Sequence, residues 1–119
     1  MSSPILLVGL GGASGSVLRY LLQRTLNASY FPYGTIVVNI CGCLLIGILW
    51  GILSKNNLNE VAALLLITGF CGGFTTFSAF TYESIQLLRE NKFVLFFTYL
   101  FISIAGGMLA TYLGYKIFS

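Results

Sequence analysis

Uncharged hydrogen-bond donors recur inside the long apolar stretches of this 119-residue sequence. Asn39 lies four residues after Thr35 in one stretch, and Ser103 lies four residues after Tyr99 in another. Because residues spaced by four share a helix face, each pair predicts a stripe of neutral donors. A buried amide or hydroxyl is costly without a partner. It is therefore either bonded to a neighbouring helix or available to replace water around an anion.

Glycines and threonines interrupt a third apolar stretch in a way that is unfavourable for a helix. The stretch reads Gly69-Phe70-Cys71-Gly72-Gly73-Phe74-Thr75-Thr76-Phe77-Ser78-Ala79-Phe80. This pattern favours a break in the helix over a continuous helix whose hydroxyls bond back to the preceding turn. Backbone groups freed at membrane depth must be shielded by protein or line a water-filled cavity, and they are ready ligands for ions.

Aromatic and charged residues flank the predicted break. Phe77 and Phe80 are three residues apart. The positive edge of such a ring can face an anion, although phenylalanines in membrane helices ordinarily face lipid or the core. Arg19 and Glu83 stand near the ends of their spans, where charged side chains commonly reach the interface. Their spacing does not decide whether Glu83 pairs with a base or lines a vestibule.

The composition is that of a membrane protein. Hydrophobic residues make up 57% of the chain and charged residues 8%, with a mean hydropathy of +0.93; soluble domains carry about 25% charged residues. Spans of roughly 20 apolar residues are predicted at 4–26, 33–53, 58–88 and 93–118. The links between them are too short for a soluble domain. Residues 1–119 are therefore expected to form a single domain of four transmembrane helices.

Small residues inside the spans predict packing rather than chemistry. Pairs of glycines four residues apart, such as Gly11 with Gly15 and Gly69 with Gly73, let two helix backbones approach closely. The cysteines all lie in apolar stretches and are interpreted as packing residues rather than as a disulfide or metal set: Cys41, Cys43 and Cys71.

The charges restrict the partners but not the orientation. A net charge of +3 with scattered carriers predicts no nucleic-acid binding. One side of the membrane would hold Lys55 and Lys116, and the other Arg19, Arg24, Arg89 and Lys92. This bias is weak under the positive-inside rule. A fixed topology and insertion in both orientations, with antiparallel pairing, both stay open.

Three stretches resemble the fluoride channels of the Fluc or CrcB family, and the resemblance extends over nearly the full length. They are residues 11–20, residues 34–42, and residues 69–80 followed by Tyr82 and Glu83. The third stretch is the most specific, because a Gly-Gly-x-Thr-Thr-Phe-Ser-x-Phe string inside a membrane span has few other uses.

The resemblance implies an antiparallel, dual-topology homodimer in the inner (plasma) membrane of a bacterium. Two pores would export fluoride passively and lower its cytoplasmic concentration, and a structural sodium ion at the dimer centre would be held by the main-chain carbonyls of Gly72 and Thr75. The expected pore residues are Asn39, Phe77, Phe80, Tyr99, Ser103, Thr35 and Ser78, with Arg19 and Glu83 in supporting roles. The family often carries a hydroxyl where this chain has Gly107, which leaves the far end of the polar track open.

Two other classes of protein explain the sequence less well. A small four-helix proton-coupled multidrug exporter needs a titratable carboxylate deep in the bilayer, but Glu60, Glu83 and Glu90 all lie near span ends. A structural helix bundle accounts for the glycines but not for Asn39 beside an interrupted span. An enzyme is not expected, because the chain has no histidine and no paired carboxylates for acid–base catalysis.

Overall fold

The computed structural model describes residues 3–55 and 59–119, and these ranges contain helices and no strands. The helices are α1 (Pro4–Leu26), α2 (Tyr33–Ser54), α3 (Glu60–Ala62), a π-helix (Ala63–Cys71), α4 (Gly72–Phe74), α5 (Phe77–Arg89) and α6 (Phe93–Phe118). The predicted start of the third span at Leu58, and the link residues Asn56 and Asn57, lie outside the described residues.

Four helical segments of 22 to 30 residues are long and apolar enough to cross a bilayer, whose hydrocarbon core requires about 20 residues. The third of these segments runs from Glu60 to Arg89 and comprises α3, the π-helix, α4 and α5. Large apolar side chains point outward along the bundle; Ile5 and Val94, for example, are at least 80% exposed. The prediction of an all-helical, multi-pass membrane protein with four spans is confirmed.

Glycines allow the helices to approach backbone to backbone. A Cβ added to Gly114 on α6 would lie 2.6 Å from the carbonyl oxygen of Leu44 on α2, and one added to Gly15 on α1 would lie 2.8 Å from the Phe74 nitrogen. Both distances are below any real contact of a Cβ atom. The predicted glycine packing is therefore confirmed, and it fixes α2 against α6 and α1 against the first half of the third span.

Two residues with extended backbone separate α4 from α5. Thr75 has φ −84° and ψ 156°, and Thr76 has φ −147° and ψ 119°. Thr76 then acts as the N-cap of α5, because its Oγ1 accepts a hydrogen bond from the Ala79 N–H at 3.1 Å. The chain thus leaves helical geometry for two residues in the middle of the third span.

Candidate functional site

The side-chain amide of Asn39 on α2 binds both backbone polar groups of Thr76, its N–H and its carbonyl. Its Nδ2 donates to the Thr76 carbonyl at 3.0 Å, and its Oδ1 accepts from the Thr76 N–H at 2.8 Å. The side-chain amide therefore replaces the peptide acceptor of the Thr76 N–H and adds a second donor to the Thr76 carbonyl, which is that of the α5 N-cap. Asn39 lies in the middle of its span, as the sequence indicated, and its role in this chain is to hold an extended residue of the third span.

The extended residues leave main-chain carbonyls at the end of α4 without their helical donors, among them those of Gly72 and Thr75. In a continuous helix the Thr76 N–H would bond to the carbonyl of Gly72, and the Ala79 N–H to that of Thr75. These two N–H groups instead donate to Asn39 Oδ1 and to Thr76 Oγ1. Gly72 is exposed, and among the described residues a Cβ added there would meet no atom within 4 Å outside its own helical surroundings. Free carbonyl oxygens on an open face fit the sodium ion that the family resemblance implies, since hard cations prefer oxygen ligands.

Arg19 on α1 is directed at the same region. Its Nε donates to the carbonyl of Gly73 at 3.1 Å, and its Nη1 donates to Gln23 Oε1 at 3.3 Å. A cation is favourable at the carbonyl end of a helical segment. The guanidinium thus stabilises the end of α4 and connects it to α1.

A cavity of about 240 Å³ lies beside the extended residues, between α2, α5 and α6. It brings together four of the predicted pore residues, Asn39, Phe77, Phe80 and Ser103, along with Cys43, Thr75, Thr76 and Ile104. Ser103 Oγ is buried and has no hydrogen-bond partner among the described residues. No charged side chain is among these lining residues. The cavity therefore presents neutral donors and aromatic rings.

The two phenylalanines contribute to this cavity unequally. Phe80 is 8% exposed and packs against Tyr99, with ring centroids 5.2 Å apart, whereas Phe77 is 76% exposed. The two phenylalanine rings are 5.9 Å apart and inclined at 43°. Phe80 consequently forms part of the inner wall, and Phe77 lies on the open side of the chain. Ser78 is exposed in the first turn of α5, with its Oγ 3.3 Å from Thr76 Oγ1.

Thr35 and Tyr99 form a second group around Glu83. The Tyr99 hydroxyl donates to Glu83 Oε1 at 2.8 Å and Thr35 Oγ1 donates to Oε2 at 3.0 Å, where Asn27 Nδ2 also donates at 3.3 Å. Thr35 and Tyr99 are both 0% exposed. The hydroxyls of Thr35 and Tyr99 both donate to the Glu83 carboxylate. The predicted pore residues thus divide into those that line the cavity and those that surround Glu83, which we call the Glu83 cluster.

The Glu83 cluster includes residues that the sequence analysis missed. Gln23 Nε2 donates to Thr35 Oγ1 at 2.9 Å, and Asn27 Oδ1 accepts from the Thr35 N–H at 3.2 Å. Gln23 lies four residues after Arg19, and this spacing of polar side chains near the end of a span was the available signal. Glu83 also borders a separate cavity of about 240 Å³ beside the loop that precedes α2.

A second groove continues from the cavity along α2 and α6. It has a volume of about 460 Å³ and is lined by Cys43, Trp50, Ser103, Ile104, Gly107, Met108, Thr111 and Tyr112. Cys43, Ser103 and Ile104 line both spaces. The predicted face of Tyr99, Ser103 and Gly107 thus continues to Thr111, a hydroxyl residue that the sequence analysis did not single out.

Comparison with known proteins places this geometry in a family. The profile described as CrcB-like protein, Camphor Resistance (CrcB) matches residues 6–115. A protein of Flavobacterium psychrophilum named fluoride-specific ion channel FluC is 48% identical over 114 residues, covering 92% of both chains. Proteins of the same name from Phocaeicola vulgatus, with 92% and 93% covered, and Azobacteroides pseudotrichonymphae, with 97% and 95% covered, are each 47% identical.

Proposed function

The chain belongs to the CrcB-like protein family, and from this premise we propose that it is a fluoride-specific ion channel through which fluoride crosses the plasma membrane passively. It is a multi-pass membrane protein and not an enzyme. The observation that carries the proposal is the cavity in which Asn39 and Phe80 meet the Ser103 hydroxyl, which has no hydrogen-bond partner in the described part of the chain.

The chemistry of this cavity suits a small, strongly hydrated anion. Fluoride enters a narrow path only if hydrogen-bond donors replace its water, and it leaves again only if no single site binds it too strongly. Ser103 offers a hydroxyl that no other described residue binds, and Phe80 offers an aromatic ring. A ring edge carries partial positive charge and attracts an anion weakly. Neutral groups of this kind provide many weak contacts in place of one strong ion pair.

The Glu83 cluster contributes by fixing the wall of the cavity through which fluoride would pass. Glu83 accepts a hydrogen bond from the Tyr99 hydroxyl, and the Tyr99 ring in turn packs against Phe80. We assign the exposed Ser78 to an end of the fluoride path, and we assign Thr35 and Tyr99, whose hydroxyls are bonded to Glu83, to the wall of the path. Arg19 and Glu83 act as supporting residues that hold the extended segment and the hydroxyls in place.

The working unit of the proposal is an antiparallel homodimer with two pores and one structural sodium ion. Two freed carbonyls from one chain are too few to replace the water around a cation, but a two-fold axis doubles them. Gly72 and Thr75 line a further cavity of about 370 Å³ on the open face of the bundle. A second copy seated there would bring four carbonyl oxygens around the ion and close this face.

Reconstitution into liposomes tests the function directly. Purified protein is reconstituted into the membranes of vesicles that are loaded with potassium fluoride or potassium chloride. The efflux of each anion is followed with ion-selective electrodes. We expect rapid fluoride release with little chloride release. Proton-driven uptake of an organic cation without fluoride release would instead support the small multidrug exporter and refute the proposal.

A matched pair of variants tests the site. Phe80→Ile removes the ring from the cavity wall, and we expect it to slow fluoride efflux by at least about tenfold, which corresponds to a barrier increase of about 1.4 kcal/mol. Phe101→Ile is the control, because Phe101 lies on α6, is 73% exposed and does not line the cavity. Equal rates in the two variants would place the path elsewhere.

A further inference from the structure

Cys43 on α2 stands where the two spaces along the bundle join. It lines the cavity that contains Asn39 and Phe80, and it also lines the groove that contains Gly107 and Thr111. An ion that moves from the cavity into the groove along α6 therefore passes beside residues that border both spaces, and Cys43 is one of them. The other two cysteines line neither of these two spaces, although Cys71 and Cys43 both border the further cavity that contains Gly72 and Thr75.

The thiol of Cys43 occupies the place opposite Gly107. A Cβ added to Gly107 would lie 3.3 Å from Cys43 Sγ, and no other atom outside its own helical surroundings would lie within 4 Å. Gly107 follows Ser103 by one helical turn, and the buried Ser103 Oγ has no partner among the described residues. Where a hydroxyl on α6 would continue the line of donors, the chain has an S–H group from α2.

The next hydroxyl along the face is already engaged. Thr111 Oγ1 donates to the carbonyl of Cys43 at 3.0 Å, so this proton binds the backbone of α2 and is not directed along the groove. Between Ser103 and the far part of the groove, the Cys43 thiol is thus the donor that α2 supplies. A thiol is a weak donor and is larger than a hydroxyl.

We propose that the Cys43 thiol lines the fluoride path beyond Ser103 and is a modification site at which small thiol-reactive compounds block conduction. The inference rests on the proposed fluoride channel function. Attachment of a group to Sγ removes its donor and fills the space in front of Gly107. Because a thiolate is the reacting form and needs water to be stable, reaction at Cys43 also reports that water reaches this depth.

Methyl methanethiosulfonate is a suitable probe because it is small and uncharged. The Cys43 thiol gives its proton to water, and its sulfur attacks the sulfenyl sulfur of the reagent. A mixed disulfide with a methylthio group forms, and methanesulfinate leaves, so no further oxidant is required. Dithiothreitol reverses the reaction and supplies the check that the effect is covalent.

The experiment compares three chains in fluoride-loaded liposomes before and after treatment: wild type, Cys41→Ala and Cys43→Ala. Cys41 is an exposed thiol two residues away, about 200° around the helix. We expect treatment to slow fluoride efflux of the first two chains by at least about tenfold and dithiothreitol to restore it. Each chain is compared with its own untreated rate, and the Cys43→Ala chain should keep that rate.

Mass spectrometry of the treated protein, resolved to each cysteine, completes the test. A conducting channel in which Cys43 is not labelled, or is labelled without loss of flux, overturns the inference, and so does equal inhibition of Cys43→Ala. If that variant does not fold, Cys43→Ser replaces it. A wild-type chain that releases no fluoride contradicts the proposed function, while the labelling of Cys43 still decides whether its thiol faces water.

Discussion

Replacement of Asn39 by aspartate tests whether the amide both fixes Thr76 and keeps the cavity neutral. The carboxylate can still accept the Thr76 N–H, but it cannot donate to the Thr76 carbonyl, which Nδ2 now reaches at 3.0 Å. Because Thr76 is the N-cap of α5, its carbonyl keeps its helical donor, and the loss is one hydrogen bond of about 0.5–1.5 kcal/mol. A negative charge on the cavity wall also repels an anion about 4 Å away by about 4 kcal/mol at an effective dielectric constant of 20.

The electrostatic effect dominates the expected loss of function. A repulsion of about 4 kcal/mol lowers fluoride passage by about three orders of magnitude, whereas the lost hydrogen bond alone does not act on the anion. Asn39→Leu is the matched comparison. It removes both hydrogen bonds to Thr76, at a cost of about 1.5–4.5 kcal/mol for one unsatisfied N–H and one lost hydrogen bond to the carbonyl, and it adds no charge.

Two measurements separate these effects. Fluoride efflux from liposomes should be slower for Asn39→Asp than for Asn39→Leu, and the denaturation midpoint in detergent should be lower for Asn39→Leu. Size-exclusion chromatography checks that the oligomeric state of Asn39→Asp matches that of wild type. Wild-type flux in the aspartate variant, or wild-type stability in the leucine variant, would refute the reasoning.

The other predictions concern the packing of the third span and the Glu83 cluster. Gly73→Ala should destabilise the fold by at least about 1–3 kcal/mol, seen as a lower detergent melting temperature, because its Cβ would lie 2.9 Å from the Gly12 Cα. Gly72→Ala should leave single-chain stability unchanged or about 1 kcal/mol higher, since its Cβ meets nothing, but should weaken dimerisation measured by cross-linking. Equal melting temperatures for both variants would contradict this contrast. Glu83→Gln should cost about 1–3 kcal/mol in chemical denaturation, because charged acceptors bind hydroxyls more strongly, and unchanged stability would show that the 2.8 Å bond from Tyr99 contributes nothing.

The spans, the glycine packing and the family could be read directly from the sequence. Residues 33–53 and 93–118 were predicted as spans, and the structure has helices at Tyr33–Ser54 and Phe93–Phe118. Hydropathy over roughly 20 residues is a local property, so no knowledge of neighbouring helices is required. Glycines four residues apart also mark a face on which helices can meet, whatever the partner is.

Helical spacing indicated which side chains share a face but not which groups that face meets. Thr35 and Asn39 are four residues apart, yet one donates to Glu83 and the other binds the backbone of Thr76. Those partners are 48 and 37 residues away along the chain. Periodicity carries no information on contacts at such separations, and so the division of the predicted donors into two groups was not foreseeable.

The amino-acid sequence alone determined that the chain crosses the membrane four times and that neutral donors lie within its spans, because hydrophobicity and residue type are properties of short segments. Only the tertiary structure decided where those donors point. The amide of Asn39 must come from α2 to satisfy Thr76, and the Cys43 thiol fills the space before Gly107 only because α2 and α6 pack closely. Hydrogen bonds and packing join residues that are distant in sequence, and their geometry is fixed when the helices assemble.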